Sequence, residues 1–325
     1  MSLENPHAQA DALIDRRRLR RRLTLWRTIA FGLAAVAVAA VSLRATGNLA
    51  GGRQLARVEI SGIITDDKQQ IAMLKRIAKA KNVQGVLVHI NSPGGTTTGG
   101  EALFEALREL AEKKPTVSVF GTMATSAAYI AGLATDHIVA RGNSITGSVG
   151  VIFQWAEVSQ FMDKLGIKMN EVKSGTLKAV PSMFAPLDDQ GRKLTEEMVA
   201  DSQRWFVGLV SSRRMIDPNG VPGLTQGRIF SGRQALEVKL IDAIGGEREA
   251  ISWLETKRGV AKGLSIVDWK PKTEGQLGWL GAMSSMAGLI AGEPGREMVA
   301  RVMDNGSLSR LQLDGLVSVW HAATN

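Results

Sequence analysis

Past residue 53 the apolar positions switch repeatedly between two periods. RVEISGII (57–64) alternates as a strand does, and DDKQQIAMLKRIAKAK (66–81) spaces its apolar residues as one face of a helix does. VQGVLVHI (83–90) is nearly all apolar, the pattern of a strand buried on both faces. The loop NSPGG (91–95) follows, then a helix in EALFEALRELAEKK (101–114), a strand in TVSVFGT (116–122) and a helix in ATSAAYIAGLA (124–134). Further strands are expected at DHIVA (136–140), SVGVIF (148–153) and IKMNEVKSG (167–175). Further helices are expected at EVSQFMDKLG (157–166), from Asp189 to about Arg214, at SGRQALEVKL (231–240) and at GEREAISWLETKRG (246–259). This alternation predicts an α/β domain over 55–270 with a largely parallel sheet and crossover helices.

The pattern before residue 53 differs. Behind RRRLRRR (16–22), an uninterrupted apolar run extends from Thr28 to Leu43. At 1.5 Å per residue its helix reaches about 24 Å, a little short of a ~30 Å hydrocarbon core. Trp26, Arg27 and Arg44 extend it as interfacial and snorkelling residues. Residues 25–44 are therefore expected to form a single transmembrane signal anchor. It would follow a basic cytoplasmic segment (1–24) and precede a linker (45–54), with the body on the periplasmic or extracytoplasmic side of the inner membrane. The competing reading is a cleaved signal peptide, with Ala37-Val38-Ala39 as the cleavage site.

Charge adds little beyond this. Of the +9 formal charge on 325 residues, residues 1–44 hold eight arginines against three acidic residues. The remainder lacks basic clusters interleaved with aromatics, so no nucleic-acid partner is expected. There is no cysteine, which excludes a disulfide framework and a thiolate metal site. Residues 275–292, apolar but rich in Gly, Ala and Ser, read as a core helix or subunit contact within a C-terminal extension (271–325) rather than a second span.

Two turns concentrate the candidate chemistry. Asn91-Ser92-Pro93-Gly94-Gly95 and Thr122–Ala127 both end a strand and begin a helix, and ligands of open α/β sheets collect at the carboxyl ends of strands. Ser126 stands among alanines at a helix start, where a serine is commonly a cap or, beside glycine-rich backbone, a nucleophile. The N–H groups of Gly94, Gly95 and Ala127 could then form an oxyanion hole. The base is open on residues alone. His137 is at the far end of the serine helix, His89 reads as a core residue, and His7 falls on the cytoplasmic side of the anchor. Lys173 and Lys178 remain, and the apolar neighbours of Lys178, from Leu177 to Phe184, would disfavour its ammonium.

In this order, NSPGG, MATSAAYIAG, TGSVGV, VKSGTLKA and IFSGRQAL resemble the bacterial signal peptide peptidases of the serine-lysine type, over about residues 58–246. The resemblance implies a Clp-protease/crotonase-like fold behind one N-terminal transmembrane helix, and a Ser-Lys dyad. In it Ser126 is the nucleophile, Lys178 the general base and Lys173 the non-catalytic lysine, while Ser148 supports Lys178. It further implies remnant signal peptides and other unfolded apolar peptides as substrates, a homo-oligomer, and no cofactor or metal. Clp proteases share NSPGG but place a histidine about twenty-five residues past the serine, where this chain reads GSVGV. The rival readings are a crotonase-type acyl-CoA enzyme and a non-catalytic membrane scaffold of the same fold.

Overall fold

The computed structural model describes residues 22–33 and 52–271, together with the backbone of 316–319. Contacts divide the chain into two units, 1–52 and 53–325. In the first, residues 22–33 form a helix (α1) whose Leu25, Trp26, Phe31 and Leu33 are exposed. The rest of the expected anchor (34–44) and the apolar stretch 275–292 lie outside the described residues. Among the described residues, no helix is long and apolar enough to cross a membrane.

The second unit runs β1 (Gln54–Ile64), α2 (Lys68–Lys79), β2 (Val83–Thr96), α3 (Thr97–Ala111), β3 (Thr116–Thr125), α4 (Ala127–Leu133), β4 (His137–Ala140), β5 (Ile145–Gly147) and β6 (Ile152–Phe153). It continues through α5 (Ser159–Lys164), α6 (Asp189–Arg214), β7 (Ile229–Ser231), α7 (Gly232–Glu237), β8 (Ala243–Ile244), α8 (Glu247–Lys257), β9 (Ser265–Trp269) and β10 (Leu316–Val319). Strands β9, β1, β2, β3, β4 and β8 are neighbours in that order, and each pair is parallel. β5 runs parallel to β3 and antiparallel to β7, while β10 runs antiparallel to both β2 and β6. The sheet is mixed: the expected parallel body carries antiparallel pairs at β7 and β10.

Both faces of the sheet are covered, which accounts for the apolar run of β2. Val86, Val88 and Ile90 point with Val58 and Ile60 into a core closed by Leu74, Ile77, Leu107 and Ile130 of α2, α3 and α4. Leu87 points the other way, with Val117, Val119 and Val139, onto Ala250 and Leu254 of α8. Tyr129 is fully buried and donates its hydroxyl to the Leu240 carbonyl at 2.8 Å. Burial pushes its phenol well above the usual range. Tyr129→Phe leaves that carbonyl without its donor and is expected to cost about 1–3 kcal/mol, read as a lower urea midpoint at unchanged m-value.

Three segments differ from their sequence pattern. NSPGG is not a free turn: β2 continues through it, paired with the end of β1 at Ile63↔Gly94 and Ile64↔Gly95. A bulge between Ser61 and Ile63 of the ladder takes up the extra residue, so Pro93 sits where no regular ladder bond is required. IKMNEVKSG forms no strand. Every residue from 163 to 179 is exposed, and an extended segment with no neighbouring strand has no ladder to join. SVGVIF is split, because Ser148 takes a positive φ of 52° and only Ile152–Phe153 pair as a strand.

Candidate active site

β2 and β3 run side by side to Ile90↔Phe120, pair once more at Ser92↔Ala124, and then part. β2 stays with β1, while β3 moves to β5 at Met123↔Ile145, Ala124↔Thr146 and Thr125↔Gly147. Polar side chains pin this fork. The Thr125 hydroxyl donates to the Pro93 carbonyl at 3.0 Å, the Thr146 hydroxyl to the Ala124 carbonyl at 2.8 Å, and the Met123 N–H to Asn91 Oδ1 at 3.3 Å. The wholly buried Ser92 accepts the Gly94 N–H on its Oγ at 3.1 Å. The sequence analysis does not single out Ser92, Thr125 and Thr146; the available signal is a hydroxyl residue in each of the segments that lead into or follow the two strand-to-helix turns.

Ser126 stands at this fork, 1 % exposed, at the junction of β3 and α4. Its φ of 58° and ψ of −123° are glycine-like, and such a conformation costs a side-chain-bearing residue of order 1–3 kcal/mol. Surrounding bonds hold it there: its N–H donates to the Gly147 carbonyl at 2.9 Å and its carbonyl accepts from the Ile130 N–H at 3.0 Å. Its side chain makes no capping hydrogen bond to the helix, so the cap reading of this serine does not describe the structure. Ser148 directly follows Gly147 and donates its own N–H to the Arg228 carbonyl at 2.9 Å. The backbone thus brings Ser126 and Ser148 to adjacent positions.

The three expected oxyanion donors differ in state. Ala127 opens α4, where a first-turn N–H has no acceptor within the helix. The Gly94 N–H is held by Ser92, and Gly95 lies between β1 and β10. Lys178 stands in a turn between α5 and α6. It lies in the exposed segment 163–179. Its apolar neighbours Leu177 and Met183 are exposed with it. Lys173 pairs with Glu171 at 2.5 Å.

The histidines take other places. His137 stacks on Trp253 at 4.6 Å, and burial pushes its pKa down despite Asp242. His89 is not a core residue, contrary to its reading from sequence. It lies on the α8 face with Nε2 2.7 Å from Glu247, beside Arg57, in a cavity that also includes Glu59 and Asn91.

The peptidase family S49 profile matches residues 108–261, and the Clp protease profile matches residues 54–144. The chain is 32% identical over 210 residues to a Synechocystis sp. protein named as a protease, covering 64% of this chain and 76% of that one. The chain belongs to peptidase family S49. A second relative, named as a protease of Methanocaldococcus jannaschii, is 32% identical over 229 residues, covering 66% and 74% of the two chains. A third, named as the signal peptide peptidase SppA of Enterococcus faecium, is 30% identical over 250 residues, covering 71% and 72%. The protein is thus an SppA-like S49 serine peptidase that acts on peptides. The S49 match contains β3, Ser126, Ser148 and Lys178, and the Clp match contains the β2–β3 fork and Ser126.

Proposed function

We propose that this S49 peptidase is a membrane-anchored endopeptidase in which Ser126 and Lys178 form a catalytic dyad that degrades remnant signal peptides and other unfolded apolar peptides. The observation that carries the proposal is the backbone of Ser126, a costly conformation kept at a strand-to-helix junction with no capping bond to explain it. In the reaction, neutral Lys178 takes the Ser126 proton as Oγ attacks the peptide carbonyl. The oxyanion is held by the N–H of Ala127 and that of Gly94 or Gly95, Gly94 exchanging Ser92 for the oxyanion. Lys178 then protonates the departing amine, Ser148 orients its ammonium, and water hydrolyses the acyl-enzyme.

A lysine serves as base only where burial disfavours its charge. Lys178 is exposed on an arm that also exposes Leu165, Ile167, Met169 and Val172. A second copy of the chain covering this arm would desolvate Lys178, so the active form is a homo-oligomer, with the dyad completed at the contact between chains. The exposed apolar side chains of α1 support an anchor over 25–44, with the catalytic unit on the outer side of the membrane. Family membership favours peptide hydrolysis over acyl-CoA chemistry, and retention of Ser126, Ser148 and Lys178 argues against a scaffold without activity.

The test uses the full chain in detergent with a fluorogenic apolar peptide. Lys178→Ala is expected to lower kcat by about 10²–10⁴, the range of a general base, while Lys173→Ala stays within a few-fold of the parent. The parent's kcat should rise with pH as the lysine loses its proton. Normal cleavage by Lys178→Ala, or a rate that needs the protonated lysine, would remove Lys178 from the mechanism.

A further inference from the structure

Ser148 shares the backbone strain of Ser126. Its φ of 52° follows a φ of 83° at Gly147, two positive-φ residues in succession at the end of β5. A residue with a side chain keeps such a conformation only where its surroundings over-determine it. Before Ser148 they do so through the backbone: the Gly147 carbonyl accepts the Ser126 N–H at 2.9 Å, and the Ser148 N–H donates to the Arg228 carbonyl at 2.9 Å. After Ser148 the chain leaves regular structure until Ile152, so no strand takes up the next peptide.

A side chain holds it instead. Nε2 of Gln203, in α6, donates to the Val149 carbonyl at 3.2 Å and to the Thr225 carbonyl at 3.1 Å, two hydrogens for two acceptors. Thr225 belongs to a short 3₁₀ turn, Leu224–Gln226, that leads through Gly227 to Arg228. One amide therefore ties the carbonyl that follows Ser148 to the segment that receives the Ser148 N–H. Its own Oε1 is buried and has no hydrogen bond among the described residues. A buried acceptor left unpaired costs stability, and turning the amide over would set Oε1 against two carbonyl oxygens. The orientation thus serves the two carbonyls rather than the glutamine.

Resting on the dyad reading above, we propose that Gln203 is a positioning residue for the peptidase reaction. It locks the backbone on both sides of Ser148 and so aims the Ser148 hydroxyl at the general base. Without the amide the Val149 peptide can turn, Ser148 relaxes toward negative φ, and its hydroxyl swings away. A misplacement of about 1 Å can cost about 10² in rate. Because the effect passes through one hydroxyl, it disappears when that hydroxyl is absent, which a general loosening of the fold would not do.

The test is a double-mutant cycle on the full chain in detergent, read with the fluorogenic apolar peptide. Gln203→Met keeps the side-chain length and removes both donors. It is expected to lower kcat by about 10- to 10²-fold with KM within about twofold, whereas on a Ser148→Ala background it should change kcat by less than about twofold. Equal fold-losses on the two backgrounds, or the parent's kcat in Gln203→Met, would overturn the proposal. Gln203→Asn, one methylene too short to reach both carbonyls, should show the same pattern and serves if the first variant does not fold. Hydrogen exchange gives a readout independent of activity. In Gln203→Met the amides of 148–151 should exchange at least about tenfold faster while those of β1 and β3 keep the parent's rates, and unchanged protection at 148–151 would equally refute the clamp. Lys178→Ala separates this proposal from the dyad on which it rests. Normal cleavage by Lys178→Ala removes the dyad and the role of Gln203 with it; an inactive Lys178→Ala beside a fully active Gln203→Met removes the role of Gln203 alone.

Discussion

Ser126→Ala is expected to lower kcat/KM by about 10⁴ or more while the chain remains folded. Removing the nucleophile of a hydroxyl peptidase leaves only the catalysis that the oxyanion hole and binding supply, so the loss should fall mainly on kcat. Folding should be nearly unaffected, because alanine occupies the same φ of 58° and the serine side chain makes no capping bond to α4. A companion variant separates chemistry from strain. Glycine adopts φ 58°, ψ −123° without steric penalty, so Ser126→Gly should be equally inactive yet more stable than Ser126→Ala by about 1 kcal/mol. Peptidase assays and denaturant unfolding on the same preparations check both statements. Activity within tenfold of the parent in either variant would remove Ser126 as nucleophile, and a Ser126→Gly chain less stable than Ser126→Ala would contradict the strain argument.

The second large effect belongs to Gly95. A Cβ there would stand 1.8 Å from the Ile64 carbonyl oxygen and 2.6 Å from the Ile64 nitrogen, both backbone atoms. No rotamer change relieves that contact; only separation of β1 from β2 does, and Ile64↔Gly95 is the last pair holding the strand past its bulge. Gly95→Ala should therefore cost more than about 4 kcal/mol, or abolish activity by displacing Gly94 and Gly95 from the site if the strand end gives way locally. Gly208→Ala provides the contrast. Gly208 lies within α6 with nothing near its missing Cβ, so alanine there should stabilise by about 0.5–1 kcal/mol. Urea unfolding of the two variants, with activity measured in parallel, checks the pair. A Gly95→Ala chain as stable and active as the parent would mean that β1 and β2 do not approach each other this closely.

Most of the parallel sheet was legible because its information is local. The apolar run of β2, the alternation in β1 and the periodicity of α2, α3 and α6 each follow from which faces are buried, and burial on both sides of β2 requires little more than an unbroken run of apolar residues. The place of Ser126 at a strand-to-helix junction was legible too, since the small residues around it are what a crowded junction can hold, while its role as nucleophile was implied by the order of the motifs rather than by these residues. IKMNEVKSG shows the opposite case. Its residues suit a strand, but strand formation needs a neighbour, and among the described residues none pairs with it. The same reason explains His89: its place before NSPGG suggested the core, whereas the face it takes depends on where Glu247 begins α8.

By itself, the sequence determined an α/β fold through its alternating periods, and the order of NSPGG, MATSAAYIAG and TGSVGV carried the resemblance to a serine-lysine peptidase that singles out Ser126 and Ser148. Only the tertiary structure decided that NSPGG is a strand end rather than a turn, that Ser92 holds the Gly94 N–H, and that β10 lies on that edge. Each is a pairing between segments far apart in the chain, settled by which backbone groups are left without partners when the sheet divides, and no local pattern records that.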